Sequence, residues 1–489
     1  MDLLIGLDVG TSAVKGVIVS AEGKQLALRG RPTRLFSPRP GFIEVEPEEH
    51  YRSVCDLIRE LASHAPAGAR VRALSMAFAS GNTMLLDEAE RPLANIVSWM
   101  DKRAFGKAGE ILPGFDIAAV HRVVGWPFTG EWFPLAHLSW LKKFEPELYR
   151  RAARYCMNSD WLMYRLSGRW GMDYSTASTF FLIDQVNRCW HKPYLDVLEI
   201  SEKSLSVLGD SGQVLGPLTR SGAEDTGLSR DTLVVLGAFD HPSAARGTGF
   251  TGVGDLLLSC GTSWVGFYPI DDRELGIAQK MLVDPFLSPR GPWATLFSFT
   301  EIGRLIERYI DERILRDGEA PARKYEIFNQ CARKAPRGAG GAFIDPFVPA
   351  KQIPSVEIGF GEDHDREQIA RAVMEGPALR MRYHIERLTA AGIGAERIAM
   401  VGGPSESAVW SQIVAEVTGL ELKLINGQSA GAMGAAILAA VGAGLFRDEK
   451  EAFAAMGGEG TLITPSAEAI RAYDPIYQCF LEKHAYEQV

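Results

Sequence analysis

The first eighty residues show short apolar runs separated by turn residues, followed by one helical pattern. Apolar residues dominate positions 3–8, 14–19 and 25–28. Runs of this length, bounded by glycine and polar residues, predict strands. Pro47 begins a helical pattern whose apolar residues are Val54, Leu57, Ile58 and Leu61. With a further strand at 71–77, the order β-β-β-α-β predicts an α/β domain.

The second half of the chain repeats this pattern. Strands are predicted at 255–260 and 264–269, and Gly261-Thr262-Ser263 joins them. The run at 398–401 predicts a strand that ends in two glycines, before a helix closed by Gly419. A strand, a Gly-Thr-Ser turn and a strand therefore occur once in each half. We predict two related α/β domains that face one another across a cleft.

The predicted boundary lies near residues 245–254 and divides the chain into domains 1–246 and 247–489. A length of 489 residues allows two large cores. The 52 basic and 61 acidic residues give a net charge of −9, which argues against nucleic acid as a partner. Six widely spaced cysteines favour a reduced, cytoplasmic protein. The apolar stretch 430–445 is too short for a membrane span, so no membrane partner is expected.

Two polar turns are candidate phosphate sites. The first, Asp8-x-Gly10-Thr11-Ser12, follows a strand and offers backbone N–H groups and two hydroxyls. The carboxylate of Asp8 suits a hydrated Mg²⁺, which prefers oxygen ligands. The second turn is Gly261-Thr262-Ser263. Each turn alone could be an ordinary capped hairpin, whereas two of them in corresponding places could hold a triphosphate.

Two further segments carry candidate chemistry. Asp240 directly follows an apolar strand, at the sheet edge where ligands of α/β proteins bind. A carboxylate there can accept the proton of an attacking hydroxyl, although Asp240 could instead be the N-cap of a helix over 242–246. Gly402-Gly403 lies between a strand and a helix and would let a nucleotide base approach the backbone. The alternative is a plain β-to-α turn.

In this order and at these separations, the four segments resemble the FGGY family of carbohydrate kinases, which has the actin-like, Hsp70-like ATPase fold. The resemblance covers nearly the whole chain. It implies two ribonuclease H-like domains across a nucleotide cleft. Other matching segments are Leu85-Leu86-Asp87, Trp99-Met100-Asp101-Lys102-Arg103, Leu138-Ser139-Trp140-Leu141, Asn158-Ser159-Asp160-Trp161-Leu162 and Ala430-Gly431-Ala432-Met433-Gly434.

The resemblance implies a role for each matching residue. Asp8 and Asp240 would hold Mg²⁺, and Asp240 would also remove the proton from the sugar hydroxyl. The residues implied to contact ATP are Thr11, Ser12, Lys15, Gly261, Thr262, Thr300, Gly402, Gly403 and Ser407. Those implied to lie near the sugar are Ser80, Asn82, Trp99, Asp101, Trp132, Asp240, His241 and Trp264. The alternative for each tryptophan is core packing.

The departures from the family pattern lie mostly on the substrate side. Ser80-Gly81-Asn82 stands where xylulose kinases carry Met-His and glycerol kinases Arg-Glu. His241 replaces a common Asn or Gln, His137 replaces a Lys, and a shorter segment over 349–354 replaces a Gly-Glu-Arg-x-Pro stretch. The nucleotide side changes at Pro404, which replaces a common Gly. Ser407 stands where some relatives carry an amide.

We therefore predict an ATP-dependent kinase of a small sugar, with a pentulose such as xylulose as the acceptor. A polyol such as glycerol or erythritol is the first alternative. A nucleotide-switch ATPase of the same fold and a degraded sugar-binding relative are the others. The expected ligands are ATP, Mg²⁺ and the sugar or polyol, and a homodimer is left open.

Overall fold

The computed structural model describes residues 1–79, 81–127, 131–345, 356–425, 429–458 and 460–483. The chain divides into two compact units. The first unit contains Met1–Thr251, Asp271–Thr295 and Gln428–Gly458, and the second contains Gly252–Ile270, Leu296–Gly427 and Glu459–Val489. Both units are thus discontinuous in sequence, and the domains 1–246 and 247–489 stay a prediction.

The first unit is built on a six-stranded mixed sheet. Its strands are β1 (Asp2–Val9), β2 (Ala13–Ser20), β3 (Gln25–Pro32), β4 (Arg70–Phe78), β5 (Val214–Pro217) and β6 (Leu233–Phe239). Their spatial order is β5-β6-β4-β1-β2-β3. The hairpins β1–β2 and β2–β3 are antiparallel, and β1, β4 and β6 run parallel. The N-terminal strands predicted from the apolar runs are confirmed.

Six strands that lie wholly or mostly in the second unit are hydrogen bonded in a similar arrangement. They are β7 (Gly254–Cys260), β8 (Trp264–Ile270), β9 (Trp293–Phe299), β10 (Ala395–Gly402), β11 (Glu421–Leu424) and β12 (Thr461–Ile463). Their order is β9-β8-β7-β10-β11-β12. As with β1 in the first unit, β7 pairs antiparallel with the next strand and parallel with a later one. The predicted repetition of one α/β theme is confirmed.

Five helices cover the first sheet or carry residues of the site. They are α1 (Pro47–Ala62), α2 (Asp240–Thr248), α3 (Lys324–Lys334), α4 (Ala408–Thr418) and α5 (Ala430–Gly442). The other helices of the first unit are Ala108–Ile111, Ile117–Val124, Phe133–Phe144, Pro146–Arg150, Asn158–Ser167, Tyr174–Phe180, Lys192–Leu198, Arg220–Thr226, Arg273–Ala278 and Glu449–Met456. Those of the second unit are Ile302–Tyr309, Arg366–Ala390 and Ala467–Lys483, with a π-helical turn at Ile310–Ile314.

The remaining short elements connect these parts. Two-residue and three-residue strands are Glu44–Val45, Met84–Leu86, Ile96–Val97, Arg154–Cys156, Gly171–Asp173, Ile183–Asp184, Cys189–Trp190, Val207–Gly209, Leu282–Asp284, Phe343–Ile344 and Glu357–Ile358. The 3₁₀ turns are Glu202–Ser204, Pro321–Arg323, Ala339–Gly341 and Gly403–Glu406. No helix in the described part of the chain is long and apolar enough to cross a membrane.

Helices cover both faces of the first sheet. On one face α1 buries Leu57, Ile58 and Leu61 completely, as its helical pattern predicts. Burial of such a side chain contributes about 1.5–3 kcal/mol. On the other face α5 approaches β1 so closely that a Cβ on Gly6 would lie 1.9 Å from the carbonyl oxygen of Ala432. This close approach brings the N-terminus of α5 to the C-terminal end of β1, where Asp8 lies.

Candidate functional site

The first polar turn joins β1 and β2. Asp8 pairs with Lys15 across the hairpin, and the N–H of Gly10 donates to the carbonyl oxygen of Ala13 at 3.1 Å. A Cβ on Gly10 would lie 2.8 Å from that oxygen, so the turn requires glycine there. Thr11 is half-buried and Ser12 is exposed. The turn therefore presents hydroxyl groups beside a carboxylate.

Asp8 is enclosed by the start of α5. The hydroxyl of Ser429 donates to Asp8 Oδ2 at 3.3 Å, and a Cβ on Gly431 would lie 2.7 Å from the same oxygen. Burial, and secondly the negative charge of Asp240, raise the pKa of Asp8 to about 6, while Lys15 and Ser429 act in the opposite direction. A neighbouring cation would therefore stabilise the ionised form of Asp8.

Asp240 begins α2 rather than capping it. The N-cap position belongs to Phe239, so the alternative prediction that Asp240 is the N-cap is wrong. Asp240 Oδ1 accepts a hydrogen bond from the backbone N–H of His241 at 2.7 Å. Burial raises the pKa of Asp240, and the adjacent His241, whose Nε2 lies 3.8 Å from Oδ1, opposes that rise. The side chain remains 32% exposed, which leaves the carboxylate accessible to a ligand.

The pair formed by Asp8 and Asp240 fits a magnesium ion. The negative charge of Asp240 raises the pKa of Asp8, so a divalent cation held by these carboxylates would stabilise their ionised forms. The described residues contain no cluster of three or more His, Cys, Asp or Glu side chains that could hold a metal. Mg²⁺ does not need such a cluster, because one or two carboxylates, water and substrate phosphates complete its coordination.

Two residues predicted on the substrate side, Asn82 and Trp99, are hydrogen bonded to each other, and Trp99 is also bonded to the first turn. The indole Nε1–H of Trp99 donates to Thr11 Oγ1 at 2.8 Å, and the backbone N–H of Trp99 donates to Asn82 Oδ1 at 3.1 Å. The amide of Asn82 in turn donates to Asn158 Oδ1 at 3.0 Å. A hydrogen-bonded chain therefore connects the first polar turn to the predicted sugar side. Ser80 and the segment 349–354 lie outside the described residues.

The carboxylate of Asp101 is surrounded by hydrogen-bond donors of the protein itself. Its side chain is fully buried, and its two oxygens accept hydrogen bonds from the N–H of Ile43 at 2.7 Å and from three N–H groups of Arg103. The guanidinium of Arg103 also reaches Glu44. With its acceptor sites occupied in this way, Asp101 anchors the loop that carries Trp99. The predicted place of Asp101 near the sugar stays a prediction.

An aromatic cluster absent from the sequence-based site lies next to these residues. Phe133 packs parallel to Trp99, with ring centroids 6.5 Å apart, and against Trp126 at 5.5 Å. Trp126 also contacts Phe239, the residue before Asp240. A Cβ on Gly81 would lie 2.5 Å from Phe133 Cδ1, so that ring fills the space beside residue 81. Trp132 lies at the N-cap of the same helix and contacts Phe105.

The second polar turn joins β7 and β8 and is bonded to the next helix. Gly261 N–H donates to the carbonyl oxygen of Ser263 at 3.1 Å, much like the contact of Gly10 in the first unit. Gly303 N–H donates to the carbonyl oxygen of Thr262 at 2.9 Å. Gly402 has φ of +97°, and a Cβ there would lie 2.2 Å from the Cys260 carbonyl oxygen. Glycine is thus required where β10 ends beside β7.

A cavity of about 610 Å³ opens beside this second turn, within the second unit. Its volume lies in the range of small-molecule sites. Of the residues predicted to contact ATP, the lining includes Gly261, Thr262, Gly403 and Ser407 but not Thr300 or Gly402. Trp264, predicted near the sugar, also lines this cavity and is packed against Trp410 at 5.5 Å. The structure thus places Trp264 with the residues predicted for the nucleotide.

Comparison with known families shows to which family the chain belongs. Residues 3–247 match the N-terminal domain of the FGGY family of carbohydrate kinases, and residues 256–443 match its C-terminal domain. This chain belongs to the FGGY family. FGGY kinases are ATP-dependent phosphotransferases that act on small sugars, so the chain is a carbohydrate kinase. The alternatives of a nucleotide switch and of a degraded sugar-binding protein are thereby set aside.

Relatives of this FGGY kinase have several names. The chain is 26% identical to the xylulose kinase of Bacillus subtilis (strain 168), over 98% of this chain and 96% of that protein. It is 27% identical to the autoinducer-2 kinase of Klebsiella pneumoniae subsp. pneumoniae, over 92% of this chain and 87% of that protein. These two relatives differ in the substrate that their names give.

Solved structures agree with the fold. A ligand-bound xylulose kinase from Lactobacillus acidophilus has a TM-score of 0.85 at 21% sequence identity. The alignment covers 99% of this chain and 97% of that structure. A glycerol kinase from Plasmodium falciparum with ADP has a TM-score of 0.83 at 15% identity, with coverage of 100% and 99%. The FGGY kinase therefore has the two-domain, actin-like ATPase fold with ribonuclease H-like sheets, as predicted.

Proposed function

We propose that this FGGY kinase transfers the γ-phosphate of MgATP to a hydroxyl group of a pentulose such as xylulose, with Asp240 as the general base. The observation that carries this proposal is the pair of Asp8 and Asp240 beside the first polar turn. One carboxylate is enclosed and suited to a cation, and the other is accessible at the start of a helix. Metal binding and proton removal are the two tasks that such a transfer needs.

Asp240 would act on the acceptor hydroxyl. Its raised pKa makes it a stronger proton acceptor than an ordinary aspartate, and its exposed fraction allows a hydroxyl to approach. The hydrogen bond from His241 N–H fixes one oxygen, so the other is left to receive the proton. A base placed in this way accepts the proton as the oxygen of the sugar attacks phosphorus.

The polar turns would orient the phosphates. Thr11 and Ser12 supply hydroxyl donors, Lys15 supplies a positive charge, and Thr262 is the corresponding donor in the second unit. Asp8 and Asp240 would hold Mg²⁺, which neutralises the phosphate oxygens when it is bound. The hydrogen bond from Trp99 to Thr11 holds the first turn against the sugar side. This hydrogen bond fixes the position of Thr11, proposed to bind phosphate, relative to Trp99, proposed to contact the sugar.

The cavity of the second unit is the proposed nucleotide site, and Gly403 provides a test of it. A Cβ on Gly403 would meet no atom within 4 Å, and its φ is not in the left-handed region, so a larger residue there is compatible with the fold. We expect Gly403→Leu to weaken ADP binding at least tenfold, because the side chain would occupy the cavity. Isothermal titration with ADP measures this.

Gly394→Ala is the matched control for that experiment. A Cβ on Gly394 also meets no atom within 4 Å, but Gly394 does not line the cavity. Its ADP affinity should equal that of the wild type. Unchanged ADP affinity in Gly403→Leu would place the nucleotide elsewhere.

The acceptor is proposed from the relatives and from the residues on the sugar side. Xylulose kinases are among the relatives of the chain and among the structures similar to it. Trp99 is half-buried and packs parallel to Phe133, and its indole is the flat face proposed for the C–H groups of a sugar. A screen of ADP release over ketoses, polyols and sugar acids, with the substrate of the autoinducer-2 kinases included, tests the choice. A polyol that exceeds every ketose in kcat/KM would replace the pentulose.

The pH dependence of the reaction should reflect the raised pKa values of both carboxylates. Both must be ionised for activity, so kcat/KM should fall as the pH is lowered through about 6, where free Asp8 takes up a proton. Protons and Mg²⁺ compete for Asp8, and more free Mg²⁺ should therefore move this fall to lower pH. Profiles of kcat/KM at two Mg²⁺ concentrations measure the shift. A fall near pH 4 that does not respond to Mg²⁺ would contradict this assignment.

A further inference from the structure

Helix α3 presents two side chains to the cavity of the second unit that have no part in the proposed function. Tyr325 and Asn329 are four residues apart and therefore lie on one face of the helix. Both line the cavity, together with Gly403 and Ser407. A flat ring and an amide on one helical face form the two elements needed to recognise a planar heterocycle.

The amide of Asn329 has a defined orientation. Ser407 Oγ lies 2.6 Å from Asn329 Oδ1 and accepts the N–H of Trp410 at 3.1 Å. A distance of 2.6 Å is typical of O–H···O and short for N–H···O, so the hydroxyl of Ser407 donates to the amide oxygen. The NH₂ group of Asn329 is then left to donate elsewhere, and none of the described residues accepts from it. It is a donor available to a ligand.

The ring of Tyr325 is accessible and fixed. Tyr325 is 52% exposed, although it is a large aromatic residue. Its hydroxyl donates to Glu307 Oε1 at 2.7 Å, and Glu307 also lines the cavity. This hydrogen bond restricts rotation of the Tyr325 side chain. An accessible, oriented aromatic face suits stacking against a planar base.

We propose that Tyr325 and Asn329 recognise the adenine base of the nucleotide. The ring of Tyr325 packs against the base, and the NH₂ group of Asn329 donates a hydrogen bond to one of its ring nitrogens, while Ser407 holds the amide in place. This inference rests on the proposed location of the nucleotide in the same cavity. It adds a base-recognition face from a helix that no sequence motif marks.

Binding of ADP and of inorganic tripolyphosphate separates the base from the phosphates. Asn329→Ala should weaken ADP binding roughly 3- to 10-fold, as expected for one hydrogen bond, and leave tripolyphosphate binding unchanged. Asn329→Asp, which keeps the size of the side chain but has no NH₂ group, should weaken ADP binding at least as much. Tyr325→Ala should weaken it about tenfold, whereas Tyr325→Phe, which keeps the ring, should have less than a twofold effect.

Gln330→Ala is the matched control on the same helix, because Gln330 is exposed and does not line the cavity. Wild-type ADP affinity in Asn329→Ala and Tyr325→Ala, with loss in Gly403→Leu, would overturn base recognition by α3 and leave the nucleotide site intact. Wild-type ADP affinity in all three variants would overturn the nucleotide site itself. Equal weakening of ADP and tripolyphosphate would also overturn the proposal, because the effect would not depend on the base.

Discussion

Asp240→Asn is expected to lower kcat by about 10²–10⁴-fold and to leave the affinity for ADP unchanged. An amide has nearly the size of the carboxylate, and its oxygen can still accept the hydrogen bond from His241 N–H, so the start of α2 should keep its structure. The amide cannot accept the proton of the sugar hydroxyl, and removal of a general base costs this much in rate. Steady-state kinetics with saturating sugar, and titration with ADP, measure the two quantities.

Asp231→Asn is the control for this variant. Asp231 is exposed and lies just before β6, the strand that leads to Asp240, at the opposite end from the site. Its neutralisation should leave kcat within twofold of the wild type. A normal kcat in Asp240→Asn would show that the proton is removed by another group, and a loss of ADP affinity of the same size would show that Asp240 acts mainly through MgADP.

Gly431→Ala is expected to lower kcat by about 10²-fold and to raise the Mg²⁺ concentration needed for half-maximal activity. The three nearest atoms to a Cβ at this position all belong to the side chain of Asp8, the closest being Oδ2 at 2.7 Å. The methyl group must therefore displace the proposed metal ligand, and a misplacement of about 1 Å can cost this factor. Rates measured as a function of free Mg²⁺ test both parts.

Two other glycines show whether the effect is specific. Gly434→Ala, on the same helix, would place its Cβ 1.8 Å from the backbone oxygen of Ser243, so this variant should lose thermal stability. A Cβ on Gly109 meets nothing within 4 Å, and Gly109→Ala should be neutral. Gly431→Ala should keep a Tm close to that of the wild type. Wild-type kinetics in Gly431→Ala, or a loss of activity that merely follows a lower Tm, would contradict the role assigned to this glycine.

Local patterns predicted many of the central strands and several helices of both units correctly. The strands β1, β2 and β4 differ from their predicted bounds by one residue at each end, because a buried strand needs an unbroken apolar run. The repeated Gly-Thr-Ser turn likewise indicated that the two sheets are related. The roles of individual side chains were harder to derive, since they depend on partners far away in sequence.

Asp101 and Trp264 illustrate that difficulty. In the sequence both appear as polar or aromatic residues suited to a sugar. The structure surrounds Asp101 with donors from Arg103 and Ile43, and it places Trp264 against Trp410, which is 146 positions away. No spacing rule contains such contacts. Phe133, Tyr325 and Asn329 were missed for the same reason, as none of them belongs to a motif of its own.

The amino-acid sequence by itself determined the repeated α/β theme, the two polar turns and the carboxylate that follows a strand at Asp240, because each depends on residues that are neighbours along the chain. Only the tertiary structure decided that Asp240 follows the N-cap, that α5 brings Ser429 and Gly431 to Asp8, and that α3 turns a ring and an amide toward a cavity. The physical reason is that burial, pKa and access are set by packing between distant segments. A carboxylate next to a turn becomes a metal ligand or a base only through what surrounds it.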